Sequence, residues 1–433
     1  MQPIKEIFRA LRSKNYRLFF FGQFVSLTGT WMTRIATIWL VYRLTHSAFF
    51  LGLVGFASQI PSFILTPVAG VIVDRLNLHR LVIVTQCLAM LQSALLAALA
   101  LSGVISIGQI LALNIFQGLI DSFDMPTRQS FMIHLIEDKQ DLSNAIALNS
   151  SLVNGTRLIG PSLAGILIAA SSEGICFLID SLSYIAVIAA LLAMDVTLPS
   201  RKRAHEHLFH GLKEGFRYVS GFVPIRAILL LLALVSLMGM PYAILMPIFA
   251  DKILGGGPYR LGFLMGASGC GALLGALYLA SRKSVIGLGR IIPQAAITFG
   301  IALIAFSFSR SFRLSLVIIS LAGFGMMVEM AASNTLLQTI VDDDKRGRTM
   351  SFFAMSFTGM APFGSLLAGT LAARIGAPGT LFFGGIVCIL GAVLFMRRLP
   401  LLREKIRPIY LRKGILREAI SGVDIATQLE STE

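Results

Sequence analysis

The sequence predicts an all-α polytopic membrane protein, with twelve transmembrane helices in two parallel six-helix repeats. Three observations predict it. Of 433 residues, 55% are hydrophobic and 14% charged, and the mean hydropathy of +0.79 does not fit a water-soluble surface. A bilayer-spanning helix takes about 20 apolar residues, and twelve such stretches follow one another along the chain. Finally, a polar, basic linker divides them into six and six, and the two sixes resemble each other in patches.

Residues 1–16 place Ile4, Ile7, Phe8 and Leu11 on one helical face against Lys5, Arg9, Arg12 and Lys14, the pattern of an amphipathic helix lying on an anionic leaflet. The N-terminal half, 17–194, holds spans at roughly 17–42, 50–73, 81–101, 106–126, 142–170 and 174–194. A cytoplasmic linker covers 195–225. The C-terminal half, 226–397, holds spans at roughly 226–250, 258–281, 291–309, 313–337, 349–373 and 379–397. A basic tail, 398–433, completes the chain, and no cleavable signal peptide is expected ahead of the first span.

This layout explains the net charge of +15 without nucleic acid as a partner. Only Arg43, Lys252, Arg260, Arg310, Arg313 and Arg374 fall on the face opposite the N-terminus, and Arg34 and Arg157 fall within spans; all the other Lys and Arg share the N-terminal face. The positive-inside rule makes that face cytoplasmic, with both termini on it.

So little chain remains outside the spans that no soluble catalytic or nucleotide-binding domain fits, and no GxxxxGK[ST] loop is present. An ATP-driven pump of the usual kind is excluded. Cys87, Cys176, Cys270 and Cys388 sit singly in apolar runs, which argues against a zinc site or disulfide framework. His205, His207 and His210 cluster in the linker beside Arg201, Lys202 and Arg203, as a solvated loop would, and Asp342, Asp343 and Asp344 form a compact charged turn. No Ser-His-Asp or paired-carboxylate constellation supports hydrolysis, so neither an enzyme nor a cofactor is expected.

The repeat is tested by sliding one half on the other. At an offset of 210, Val25, Ser26, Leu27 and Gly29 recur as Val235, Ser236, Leu237 and Gly239, and Leu51, Gly52, Ala57 and Ser58 recur as Leu261, Gly262, Ala267 and Ser268. At an offset of 204, Gly160, Leu163, Ala164, Gly165 and Leu167 recur as Gly364, Leu367, Ala368, Gly369 and Leu371. A parallel repeat of this kind lets one half rock against the other around a midplane site.

After the second span come Gly70, Asp74, Arg75, His79 and Arg80. They resemble the GxxxDRxxxRR loop of the major facilitator superfamily, with Asn77 and Leu78 where Gly and a base are usual. The resemblance implies that the Gly permits close helix approach and that the acid latches a neighbouring helix end; a solvated turn is the plainer reading. Other segments extend the resemblance to the branch of enterobactin exporters and macrolide-efflux-like proteins. They are Leu11 to Gln23, Gly29 to Tyr42, Thr85 and Gln86, Phe123 to Gln129, Asn144 to Ser150, Asn334 to Gln338, and Arg346 to Arg348. In the fifth span, Gly160, Pro161 and Gly165 resemble the antiporter motif of that superfamily, with Ala164 in place of the first Gly. Ordinary small-residue packing would use the same composition.

Charges within spans are few: Arg34, Arg157, Asp180 and Glu329, with Asp121 and Asp124 at the end of the fourth. An unpaired ion at bilayer depth costs at least about 2.5 kcal/mol. The superfamily lines its central cavity with helices one, four, seven and ten, which places Arg34, Glu329 and Asp121 beside the substrate path. Glu329 with Arg34 is the expected proton-coupling pair, unless the two form a packing ion pair across the halves. Arg157, Asp124 and Arg128 are expected at a gate or in a fourth-to-fifth helix pair, and Asp180 in hydrogen bonding within the bundle. Gln23, Thr30, Thr33, Asn114, Gln117 and Ser236 are the polar neutral residues placed to line a substrate cavity, and Trp31 and Trp39 either stack on a ligand or pack. The resemblance implies an efflux transporter of the bacterial inner membrane, working as a monomer among membrane lipids and exchanging protons for a small molecule such as a siderophore or drug. A proton-coupled importer, a lipid translocator and a non-transporting receptor are its rivals.

Overall fold

The computed structural model describes residues 8–73, 76–136, 138–196, 216–282, 284–342 and 345–415. The first half is built from α1 (Lys14–Thr45), α2 (Ala48–Val73), α3 (Leu78–Leu101), α4 (Ile107–His134), α5 (Leu142–Ala170) and α6 (Glu173–Leu192). The second contains α7 (Val223–Ile253), α8 (Gly257–Ala280), α9 (Leu288–Phe308) and α10 (Phe312–Ile340). It ends with Arg346–Phe357 and Ala361–Arg412. Local chemistry sets several boundaries. The Asn77 side chain accepts from the Arg80 amide and caps α3, while Ser106 and Gln109 form a reciprocal capping box that starts α4. Asn77 therefore has a structural use at the position where the superfamily loop carries Gly.

Ala361–Arg412 has 52 residues, too long for a single crossing at 1.5 Å per residue. It reverses at Gly376, whose φ of 77° favours glycine. Gly364 on one limb packs on Leu237 and Gly384 on the other packs on Met238, which places the two limbs at the same depth of α7. The first limb completes α11 and the second is α12. Among the described residues nine helices are long and apolar enough to cross a membrane, the longest of them being this doubled one. The polar α1 and α4 fall outside that group, and with them the chain makes the twelve predicted passes.

Two ends differ from expectation. The described part of the N-terminal segment is a short 3-10 turn, Arg9–Arg12, and not a flat surface helix. Arg9 pairs with Asp141, Ser13 Oγ donates to the Leu135 carbonyl and the Ala10 amide donates to Asn144, so the turn is fastened to the α4–α5 junction. At the other end α12 continues through Arg412, burying Leu402 and Ile406. Arg412 then pairs with Asp342 at 2.8 Å, and Lys413 Nζ donates to the Thr339 and Val341 carbonyls, where cations suit the C-terminus of α10.

The halves pack alike internally: α1 on α6, α3 on α6 and α2 on α4, matched by α7 on α12, α9 on α12 and α8 on α10. They meet along two seams, α5 on α8 and α2 on α11. A methyl group placed on Gly262 would stand 2.6 Å from the Pro161 carbonyl oxygen and 2.7 Å from Gly165 Cα. One placed on Gly369 would stand 2.7 Å from Gly52 Cα and 2.8 Å from the Ala48 carbonyl oxygen. The repeat offsets of 210 and 204 carry Gly52 onto Gly262 and Gly165 onto Gly369, so the residues that repeat in the sequence build the same seam twice. Both seams lie toward the less basic face, where the Tyr42 hydroxyl also donates to Asp251 across the halves at 2.9 Å. Helices α4 and α10 take no part in either seam.

Candidate functional site

Helix α4 brings Asp124 into the interior of the first half, where it is 4% exposed. Thr85 Oγ1 and Gln86 Nε2 on α3 donate to its Oδ1 at 2.8 and 2.7 Å, and Arg128 pairs with its Oδ2 at 2.6 Å. Arg128 reaches on to the Gln23 side-chain oxygen on α1 at 2.9 Å. A buried carboxylate with a cation and two further donors is one the bundle can hold. Asp124 is thus a clamp among α1, α3 and α4, and no fourth-to-fifth helix pair with Arg157 forms.

Asp180 on α6 is a second clamp, 1% exposed. Its Oδ2 accepts from Thr33 on α1 at 2.7 Å and from Ser93 on α3 at 2.6 Å. Gly29 gives it room, since a Cβ there would sit 2.6 Å from Asp180 Oδ1. This is the within-bundle bonding expected of Asp180. Beside it Arg34 is exposed, although α1 is packed against α5, α6, α2 and α4 of its own half and against α7 and α8 of the other. Its side chain therefore faces the space between the halves. The guanidinium lies 5.0 Å from the centre of the Trp31 ring, and that of Arg157 on α5 lies 5.8 Å from the same ring. Arg34 also acts electrostatically on Asp121 and Asp180. Gln117 Nε2 donates to Asp121 at 2.9 Å.

Glu329 is 0% exposed, and neither carboxyl oxygen has a hydrogen-bond partner. The packing ion pair with Arg34, the alternative to a coupling role, does not form among the described residues. Pseudo-symmetry supplies the reason. Gly118 packs against the Ser58 carbonyl and Gly323 against the Ser268 carbonyl, which registers α4 on α10 and carries Asp124 onto Glu329. Ser181 donates to the Met90 carbonyl while Gly385 packs against the Gly300 carbonyl, which carries Thr85 and Gln86 onto Ala295 and Ala296. Arg128 falls on Ser333, itself buried with its hydroxyl unpartnered. The second half carries an acid at the clamp position and none of its three partners.

Among the residues expected to line a cavity, Asn114 and Gln117 are partly exposed on α4. Gln23 and Ser236 are buried and engaged elsewhere: Gln23 orients Arg128, and Ser236 donates to the Phe357 carbonyl where α11 breaks. Thr30 bonds back to the Ser26 carbonyl and meets the Tyr184 hydroxyl at 3.3 Å, and Thr33 belongs to Asp180. Gln23 and Ser236 thus tie helices together, while Thr30 and Thr33 are partly exposed beside their bonds. Gly160 seats Trp31, since a Cβ there would lie 2.5 Å from Trp31 Cβ, while Pro161 and Gly165 belong to the α5–α8 seam.

At the loop after α2, Asp74 and Arg75 lie outside the described residues, as do His205, His207, His210, Asp343 and Asp344. Gly70 makes no close approach: a Cβ there would meet nothing within 4 Å. Arg80 is exposed. The loop is held instead by His79, whose Nε2 meets the Leu191 carbonyl at 2.8 Å and whose ring stacks on Phe131. The contacts of His79, Tyr42 and Asp251 leave no mark in the sequence, because a lone His, Tyr or Asp near a span end carries no periodic signal.

Residues 6–409 match the model of the transmembrane secretion effector family. The chain is 28% identical to the staphyloferrin A transporter of Staphylococcus aureus over 386 residues, covering 88% of this chain and 96% of that protein. It is 26% identical to the multidrug efflux pump Tap of Mycolicibacterium fortuitum, with 89% and 96% covered. It is 23% identical to an enterobactin exporter of Escherichia coli, with 91% and 94% covered. A solved POT family transporter in complex with 5-aminolevulinic acid has the same fold, with a TM-score of 0.71 at 11% identity over 89% of this chain and 96% of that one. With nine helices among the described residues long and apolar enough to cross a membrane, and with a family match over most of its length, the chain belongs to the transmembrane secretion effectors of the major facilitator superfamily, multi-pass membrane transporters and not enzymes.

Proposed function

We propose that this protein is a secondary active transporter that exports a small amphipathic organic molecule, siderophore- or drug-like, across the bacterial cytoplasmic membrane by proton antiport with alternating access. It works as a monomer with the basic face, and both termini, in the cytoplasm. The observation that carries the reading is the bare carboxyl of Glu329. A carboxylate buried with no donor bears the full penalty of an unpaired charge in hydrocarbon, whereas a carboxyl that carries its proton bears much less.

The conformation supports the order of events. Both seams and the Tyr42–Asp251 bond are closed at the less basic face, which supports entry to the space between the halves from the basic, cytoplasmic face. Substrate enters there, and Glu329 gives up its proton as the substrate binds and the second half loosens around it. The halves then rock, the seams part, substrate leaves, and Glu329 is protonated from outside before the return. Asp124, locked to three partners, holds the first half rigid. One charge crossing 100 mV releases about 2.3 kcal/mol, enough to drive a modest gradient of substrate.

The test is paired metabolite profiling of cells lacking and overproducing the protein, inside and outside, with an uncoupler control. The expected result is a compound retained by the deletion strain and released on overproduction, its release lost with the uncoupler. Glu329→Gln should lower release to the uncoupled level. Uncoupler-sensitive release that survives Glu329→Gln would refute the coupling role, and accumulation of an external compound on overproduction would refute export.

A further inference from the structure

We propose that Arg34, Trp31 and Arg157 form the recognition site for an organic anion, a carboxylate-bearing molecule with a flat apolar part. This names the substrate class of the transporter proposed above and rests on that reading. Both guanidiniums lie within 6 Å of the centre of one indole ring. Neither forms an ion pair among the described residues, in contrast to Arg9, Arg43, Arg128 and Arg412.

The nearby acids make no ion pair with either arginine. Asp180 Oδ2 accepts from Thr33 and Ser93, Asp121 accepts from Gln117, and Asp124 is held by Arg128, while Arg34 acts on Asp121 and Asp180 only through space. Two cations at bilayer depth with no carboxylate in contact are costly to keep. The π face of Trp31 offsets part of that cost. An anionic ligand would offset the rest, because the guanidinium fork matches a carboxylate in two parallel hydrogen bonds. The same ring offers a surface on which the flat part of such a ligand can lie.

The site also sits where the transport motion can act on it. Arg34 faces the space between the halves, and the Arg157 carbonyl lies against Gly269 of α8, at the α5–α8 seam. Gly160 fixes the ring by admitting Trp31 Cβ against α5. When that seam parts, α5 shifts against α8 and Arg157 moves relative to the other half, so affinity and opening are coupled through one residue.

Trp31 and Trp39 are the two tryptophans of the chain, which makes the site observable. In the full-length protein carrying Trp39→Phe, in nanodiscs, indole fluorescence would be titrated with 1-naphthoate and with its neutral isostere 1-naphthamide. The expected result is saturable quenching by naphthoate, with naphthamide at least about tenfold weaker, the scale of a charge-assisted hydrogen bond. Arg34→Gln and Arg157→Gln should each weaken naphthoate about tenfold and leave naphthamide unchanged. Arg34→Lys should recover part of the loss, since it restores the charge without the fork.

Equal binding of acid and amide by the unsubstituted site overturns the proposal whatever the variants do, as does naphthoate binding indifferent to both arginines. The export reading fails separately. Arginine-dependent naphthoate binding without gradient-driven flux in proteoliposomes leaves the site standing and removes the transport assignment. Gradient-driven flux of naphthamide that ignores both arginines does the reverse.

Discussion

Substituting Gly262 by Ala tests whether the seams set the conformational equilibrium. The added methyl would lie 2.6 Å from the Pro161 carbonyl oxygen and 2.7 Å from Gly165 Cα, both on backbone that cannot rotate aside. Ordinary contact needs about 3.5 to 4.0 Å between carbons, so α5 and α8 must part by roughly 1 Å. Overpacking of this size costs about 1 to 3 kcal/mol. The gain in helix propensity from Gly to Ala, about 1 kcal/mol, is shared by both conformations and cancels. The closed seam is thus penalised alone, and the population open at the less basic face should rise about 5- to 150-fold. Adding Gly52→Ala penalises the other seam, and the two effects should add because the sites are separate. Spin labels at Ser171 and Tyr259, with the four native cysteines replaced, would report the separation by pulsed electron resonance in nanodiscs. Gly155→Ala is the control, since a Cβ at Gly155 meets nothing within 4 Å. A distance distribution that Gly262→Ala and the double variant leave where Gly155→Ala leaves it would refute the argument.

Tyr42→Phe removes a cross-half hydrogen bond to a carboxylate, a contact of about 1.5 to 3 kcal/mol, and should shift the same label distances by at least about tenfold in population; unchanged distances would mean that the bond is incidental. Asp124→Ala leaves the Arg128 charge buried without its carboxylate and should destabilise the protein by about 3 to 5 kcal/mol, read as a large fall in thermal stability in detergent. Asp124→Asn keeps the side-chain volume and one acceptor, so its loss should be smaller, and equal losses would argue against the charge. Ala296→Gln with Ser333→Arg supplies two of the three missing partners to Glu329 and should stop proton-coupled release; transport at the native rate by protein that purifies folded would show that Glu329 needs no freedom to titrate.

The helical passes were legible because hydrocarbon leaves few choices: apolar runs of bilayer length must be helices. The seams were legible too, since Gly52, Gly165, Gly262 and Gly369 all stood within the repeat patches. What the sequence conceals is the direction in which a polar side chain points. Gln23 and Arg34 are both polar positions on α1, yet one is spent on Arg128 and the other faces open space, and only the neighbouring helices decide which. Ser236 is hidden for a similar reason, because its acceptor is a carbonyl freed by the break in α11, 121 residues away. The run of α12 to Arg412 is fixed by its docking on the end of α10, which no periodicity within the tail reveals.

Features present in both halves differ in kind from features present in one. The glycine seams and the helix pairings are duplicated, as a rocking motion requires, because a hinge needs a matching contact on each side of its axis. The charges are not duplicated. The repeat offsets carry Arg34 onto Ile244, Arg157 onto Ala361 and Asp180 onto Gly384, so the second half has no counterpart of the arginine pair or of the Asp180 clamp. Glu329 alone survives there, at the position of Asp124 and without its partners. An acid kept while its whole hydrogen-bonding shell is lost is unfavourable as a structural element, since alanine would pack the same site at less cost. Its presence makes sense where the second half must hold a group that can exist both with and without a proton. On the antiport reading proposed above, the first half, with its clamps and its two arginines, is the fixed surface against which that change would be converted into motion.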